Sequence, residues 1–223
     1  MVFWMVHLRI ADFLLPHLKN VDQTAFVMGN TAPDSGVPNA DWSQFSPPYE
    51  VSHFKTRSLK GTFIDMDRFC ERHFSEKTIS RYSVREYSFF LGCWAHLQTD
   101  IRWLKMTAEL LAEKYPELHK ADKRSLVRAA KEDWYDLDFL YLEQHPDIKA
   151  FCVFKHAEGF ANTFMDIFSP DAFENRRQYI CSFYHSDEHG ILQREYPYLT
   201  EEQAAAFVKE TSMWIPQHMP SPA

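Results

Sequence analysis

Apolar positions recur at helical spacing through most of this chain. Val6, Ile10, Phe13, Leu14 and Leu18 fall on one face of residues 5–19 and predict an amphipathic first helix, with His7 beside its core-facing stripe. The same period predicts helices over about 62–74, from Ser83 past Leu111, and over 122–142, 150–168, 171–185 and 201–214. Tyr115-Pro116 is expected to close the long middle helix, because proline removes a backbone donor and restricts the residue before it. Gln144-His145-Pro146 closes the next in the same way. Thr200-Glu201-Glu202-Gln203 has the form of a capping box, in which side chains at both ends satisfy exposed amides of the first turn.

Between the first helix and the bundle, Gly29 to Pro48 collects Gly, Asn, Pro, Asp and Ser and predicts a long ordered or functional loop. Only six glycines and little apolar/polar alternation argue against a chain of short strands. The expected fold is all-α: a single-domain helical bundle over 1–216 with a long Pro/Gly-containing loop near 29–56 and a frayed tail at 217–223.

The chain has 223 residues, 45% hydrophobic and 25% charged, so it can bury a substantial core. A net charge of −7 lacks the basic surface of a dedicated nucleic-acid binder, and long nucleic acid is not the favoured partner. Cys70, Cys93, Cys152 and Cys181 form no CxxC and predict reduced, buried thiols. MVFWMVHLRIADFLL has no basic n-region and is interrupted by His7, Arg9 and Asp12, against a signal peptide. No segment has the length of a charge-free membrane span, so a cytoplasmic protein is expected.

The sharpest local signal is His96-Leu97-Gln98-Thr99-Asp100 inside the apolar run FFLGCWAHLQTDIRWL. Residues four apart share a helix face, so this pair can meet one cation or satisfy each other as a buried hydrogen bond. Asp34 follows Pro33 with Gly36 close by, which reads as a turn or as a stiffly held ligand. His53 stands just after the proline-rich stretch, and His7 on the first helix reads as a core histidine or a ligand. Taken as a set, three histidines and two carboxylates offer mixed N/O ligation suited to zinc, with manganese or iron as alternatives. Asp133, Asp136 and Asp138 read as a solvated helix face. His156 reads as an ordinary histidine, and Lys55 and Arg57 as basic groups near His53 able to meet a phosphate oxygen.

Four features in order, His7, Gly29-x-x-Ala32-Pro33-Asp34, Ser52-His53-Phe54 and His96-x-x-x-Asp100, resemble the zinc-dependent phospholipase C family, related to the single-strand-specific zinc nucleases. They span about the first half of the chain. The resemblance implies an all-helical fold in which Asp34, His53, His96 and Asp100 surround one metal and Asp100 bridges to a second held by His7. It implies a phosphodiesterase-type hydrolase in which metal-activated water attacks phosphorus, with Asp34 orienting or deprotonating that water. The substrate is then a small-molecule or lipid phosphoester. Family members use a free N-terminal tryptophan as a ligand, whereas Trp4 is internal here. A third-site histidine is replaced by Met106, and no later His-x-x-x-Asp/Glu follows, so a site of one or two metals is expected. The competing expectation is a non-catalytic helical protein with a structural or degenerate metal site, binding a partner through its aromatic-rich loop; Trp42, Phe45, Tyr49 and Phe54 flank that loop and read as loop packing or as the lining of a substrate groove.

Overall fold

A computed structural model describes residues 3–41, 43–58 and 61–220. Trp42 lies outside them. Ten α-helices and two small antiparallel hairpins form among the described residues, the all-α architecture expected. Helix α1 (Trp4–Leu14) buries Met5, Leu8, Ile10, Ala11 and Leu14. It stops short of residue 19 because Pro16 brings no amide to the ladder, and one 3-10 turn, Leu15–His17, finishes it. Helix α2 (Gln23–Gly29) opens at Asp22, whose carboxylate accepts from the Ala25 amide at 2.9 Å. Its residues Ala25 to Gly29 are buried in succession, so no amphipathic stripe announces it.

The stretch near 29–56 is ordered by a 3-10 turn at Ala32–Asp34, by β1 (Val37–Pro38) paired with β2 (Phe45–Ser46), and by one-turn helix α3 (Tyr49–Ser52). A second hairpin, β3 (Lys55–Ser58) with β4 (Gly61–Ile64), replaces the start of the helix predicted over 62–74. Thr62, Phe63 and Ile64 pair with Arg57, Thr56 and Lys55, as β-branched and aromatic side chains favour. Helix α4 (Met66–Phe74) then begins after Asp65, which accepts from the Arg68 amide, and α5 (Glu76–Ile79) is a single turn.

Helix α6 (Val84–Lys114) opens on a Ser83/Glu86 capping box and ends at Tyr115-Pro116 as expected. Helix α7 (Pro116–Gln144) breaks at Asp122, whose carboxylate accepts from the Ser125 amide and caps the part predicted from 122 onward. Helix α8 (Lys149–Lys155) is far shorter than 150–168. Gly159 turns the chain at φ 71°, and the Asn162 side chain then bonds the backbone of Phe164, Met165 and Phe168. Helix α9 (Ala172–Tyr184) follows. Helix α10 (Glu201–His218) carries the Thr200/Gln203 capping box and runs on through Pro216. Residues expected to fray are therefore helical to His218, and Tyr87 donates to the Pro220 carbonyl at 2.7 Å. Residues 221–223 lie outside the described ones.

The core centres on α6. Trp103 is almost fully buried and meets the rings of Trp134 and Phe207 edge-on at 5.5 and 5.0 Å. The three aspartates read as a solvated face are instead buried. Arg194 bonds Asp133 at 2.8 Å and Asp136 at 2.9 Å, and Asp138 accepts from the Tyr184 hydroxyl at 2.7 Å. Their partners lie about 45–60 residues downstream, beyond what helical periodicity registers. All four cysteines are free, but only Cys93 is fully buried. No helix among the described residues is long and apolar enough to cross a membrane.

Candidate metal centre

Two glycines decide how closely α2 and α6 approach. A methyl group on Gly29 would run into the Phe89 carbonyl, and one on Gly92 into the Phe26 carbonyl. With neither present, the end of α2 lies against α6, and His96 reaches the Asn30 carbonyl. The chain then leaves α2 through Ala32-Pro33-Asp34, which turns the Asp34 carboxylate back toward α6. Helix α3 delivers His53 from the far side. Phe54, held at φ 52°, swings the chain away into β3, and a non-glycine residue in this region is held there by its surroundings. Helix α1 supplies His7.

All five residues singled out from the sequence meet. His7, His96 and Asp100 form one group of donor atoms within 4.8 Å of one another, and Asp34, His53 and His96 form another. His53 Nε2 lies 3.3 Å from Asp34 Oδ1, 3.6 Å from Asp100 Oδ2 and 3.2 Å from His96 Nε2. Asp100 is 3.9 Å from His96 Nε2 and 3.8 Å from His7 Nε2. The rings of His7 and His96 stack at 3.9 Å. His7, His53 and His96 are fully buried, Asp100 is 1% exposed and Asp34 5%.

Hydrogen bonds to the outer ring nitrogens set the chemistry of the inner ones. A carbonyl can only accept, so His96 Nδ1 donates to Asn30 at 2.9 Å, and in the neutral ring Nε2 presents a lone pair. Ser52 Oγ meets His53 Nδ1 at 2.8 Å and, as acceptor, leaves His53 Nε2 bare in the same way. Neither ring nitrogen of His7 has a hydrogen-bond partner, nor does Asp34 Oδ2. Burial, with the nearby His96 ring, pushes His7 down to about 3, and burial also lowers His53, so both rings are held neutral. Burial alone would raise Asp34. A hydrogen bond from His53, when its Nε2 carries the proton, overrides it and keeps the carboxyl below its usual range. Asp100 is lowered too, by His96 foremost among its neighbouring imidazoles, against the opposing effect of burial.

Two carboxylates held below their usual range in the interior leave buried negative charge beside converging ring nitrogens, which is costly unless a cation or protons offset it. Ligand atoms on one tetrahedral zinc lie roughly 3.3 Å apart, from bonds of about 2.0 Å. The inner spacings here, 3.2 to 3.9 Å, fit that demand. The donors therefore suit a divalent metal, and His7, Asp34, His53, His96 and Asp100 are the residues able to hold it.

Tyr49 is a participant that sequence reasoning counted only among loop aromatics. Its hydroxyl donates to Asp34 Oδ1 and its ring stacks on His53 at 4.0 Å. The i, i+4 spacing of Tyr49 and His53 was the available signal. The roles of Asn30 and Ser52 use a backbone carbonyl and a neighbouring hydroxyl, for which no side-chain pattern exists. Lys55 caps the Tyr49 ring at 4.6 Å, while Arg57 is exposed on β3 and His156 is exposed at the end of α8. Asp133, Asp136 and Asp138 are engaged elsewhere. Comparison of the chain with protein-family models, with curated proteins and with solved structures gives no match.

Proposed function

We propose that this chain is a metal-dependent phosphoester hydrolase in which His7, Asp34, His53, His96 and Asp100 hold one or two zinc ions. The observation that carries the reading is the buried convergence of these five donors, with Asp34 Oδ2 lacking a hydrogen-bond partner. Manganese or iron would accept the same donors. Chemistry at phosphorus is supported by the ordered likeness of His7, the Asp34 element, His53 and the His96/Asp100 helix to the zinc-dependent phospholipase C family. Its substrate is a small-molecule or lipid phosphoester.

Zinc held there would supply Lewis acidity, acidifying water and offsetting the charge that develops on phosphoryl oxygens. The protein's own groups do the rest. Asn30 and Ser52 fix the orientations of His96 and His53. Tyr49 holds one oxygen of Asp34, leaving the other to orient a water and take its proton as the water oxygen bonds to phosphorus. The leaving oxygen departs with its bonding pair and is protonated from solvent.

A second reading, a structural metal site in a non-catalytic protein, is favoured by the near-complete burial of the ligands under Tyr49, since closed coordination is typical of structural sites. Asp34→Asn separates the two. In the hydrolase, turnover of a phosphodiester, a phosphomonoester or a phosphocholine ester should fall by about 100-fold or more while metal content on the same samples is largely retained. Equal activity in both proteins, or a fully metallated wild type that hydrolyses none of the three, favours the structural reading.

A further inference from the structure

Just past Asp34 in the chain, Ser35, Gly36, Val37 and Pro38 line a cavity of about 230 Å³ with Arg176 and Tyr179 of α9. It is smaller than the roughly 300–1,000 Å³ that encloses a drug-sized ligand, and so suits a compact group. Arg176, on α9, is 7% exposed and donates to the Gly36 carbonyl at 2.6 Å. Gly36 is two residues after Asp34, a Cα separation of at most about 7.6 Å. The guanidinium carbon also lies 5.7 Å from the Trp4 ring and 5.4 Å from the Tyr179 ring. Trp4 is one turn before His7 on α1. Arg176 therefore holds the chain two residues past Asp34 and lies near the ring three residues before His7.

We infer that Arg176 forms an anion subsite for the substrate, taking a phosphoryl oxygen or an adjoining acidic group, so that small anionic phosphoesters are preferred over choline-bearing ones. This rests on the hydrolase reading of the same site. The aromatic faces that recognise a quaternary ammonium already carry protein cations here: Trp4 and Tyr179 flank Arg176, and the Tyr49 ring lies under Lys55. A second cationic group placed there would meet like charge. A planar guanidinium suits a phosphate with its paired donors.

The test is calorimetric titration of inorganic phosphate and of phosphocholine into wild type, Arg176→Met and Arg176→Lys, with metal content and circular dichroism recorded on each sample. Wild type should bind phosphate at least about tenfold more tightly than phosphocholine. Arg176→Met should weaken phosphate binding by about tenfold or more at unchanged metal content, with Arg176→Lys between the two. If Arg176→Met does not fold, the Lys variant and the wild-type preference decide. Phosphate affinity within about twofold in the folded variants, no phosphate binding by wild type, or tighter phosphocholine binding overturns the inference. Arg176-dependent phosphate binding in a protein that hydrolyses no phosphoester overturns the hydrolase reading alone. Hydrolysis with Arg176-independent phosphate binding overturns the subsite alone.

Discussion

The Nε2 atoms of His53 and His96 face each other at 3.2 Å in the interior, a separation that two lone pairs tolerate only with a proton or a cation between them. Both rings are tied at the opposite nitrogen, His53 to Ser52 and His96 to Asn30, so neither can turn away without losing a buried hydrogen bond.

Tyr49→Phe keeps the ring stacked on His53 and removes only the hydroxyl on Asp34. Metal content should be retained, while the rate at saturating substrate falls by about tenfold or more because Asp34 is no longer held. Parallel metal analysis and steady-state kinetics check this. Full activity in the variant would show that the Tyr49 hydroxyl plays no positioning part.

Gly92→Ala should separate α2 from α6, because the added methyl meets the Phe26 carbonyl, which is backbone and cannot step aside. Overpacking of this kind costs about 1–3 kcal/mol or more. A lower urea midpoint measures the cost, and weaker zinc binding should accompany it, since the Asn30 carbonyl is carried away from His96. A midpoint equal to wild type would contradict the close approach of the two helices.

The ligands were legible from the sequence to different depths. His96 and Asp100 share a helix face, and a 3.6-residue repeat is enough to bring them together. Asp34 sat in turn chemistry that has a structural use of its own, and His7 on an apolar stripe reads equally well as core. What joins these to His53 is packing between α1, α2 and α6, and that depends on Gly29 and Gly92, residues with no chemistry to notice. Helix α2 escaped detection because it is buried all round, and Thr62 to Ile64 because a short apolar run suits strand and helix alike. Asp133 and Asp136 looked solvated because their partner, Arg194, follows on a distant loop.

Asp138 should impose a pH dependence on stability. Burial raises it from 3.8 to about 7, against the hydrogen bond from Tyr184 and the charge of Arg9. The folded protein thus keeps a proton that the unfolded chain releases above about pH 4. Between about pH 4 and 7 the native state binds more protons, so stability falls as pH rises and levels off above 7. The full effect is on the order of 4 kcal/mol. Asp138→Asn removes it, so the melting temperature of the variant should gain on that of wild type from pH 5 to pH 8. Curves that stay parallel across this range would show that Asp138 ionises as it does in the unfolded chain.

Elemental analysis of the full chain, purified without chelator or affinity-tag metal, tests the buried metal centre most directly. One or two zinc, manganese or iron ions per chain is the predicted result, with His96→Ala, analysed alongside, retaining less. A wild-type chain that carries no metal and takes up none when dialysed against zinc would contradict it.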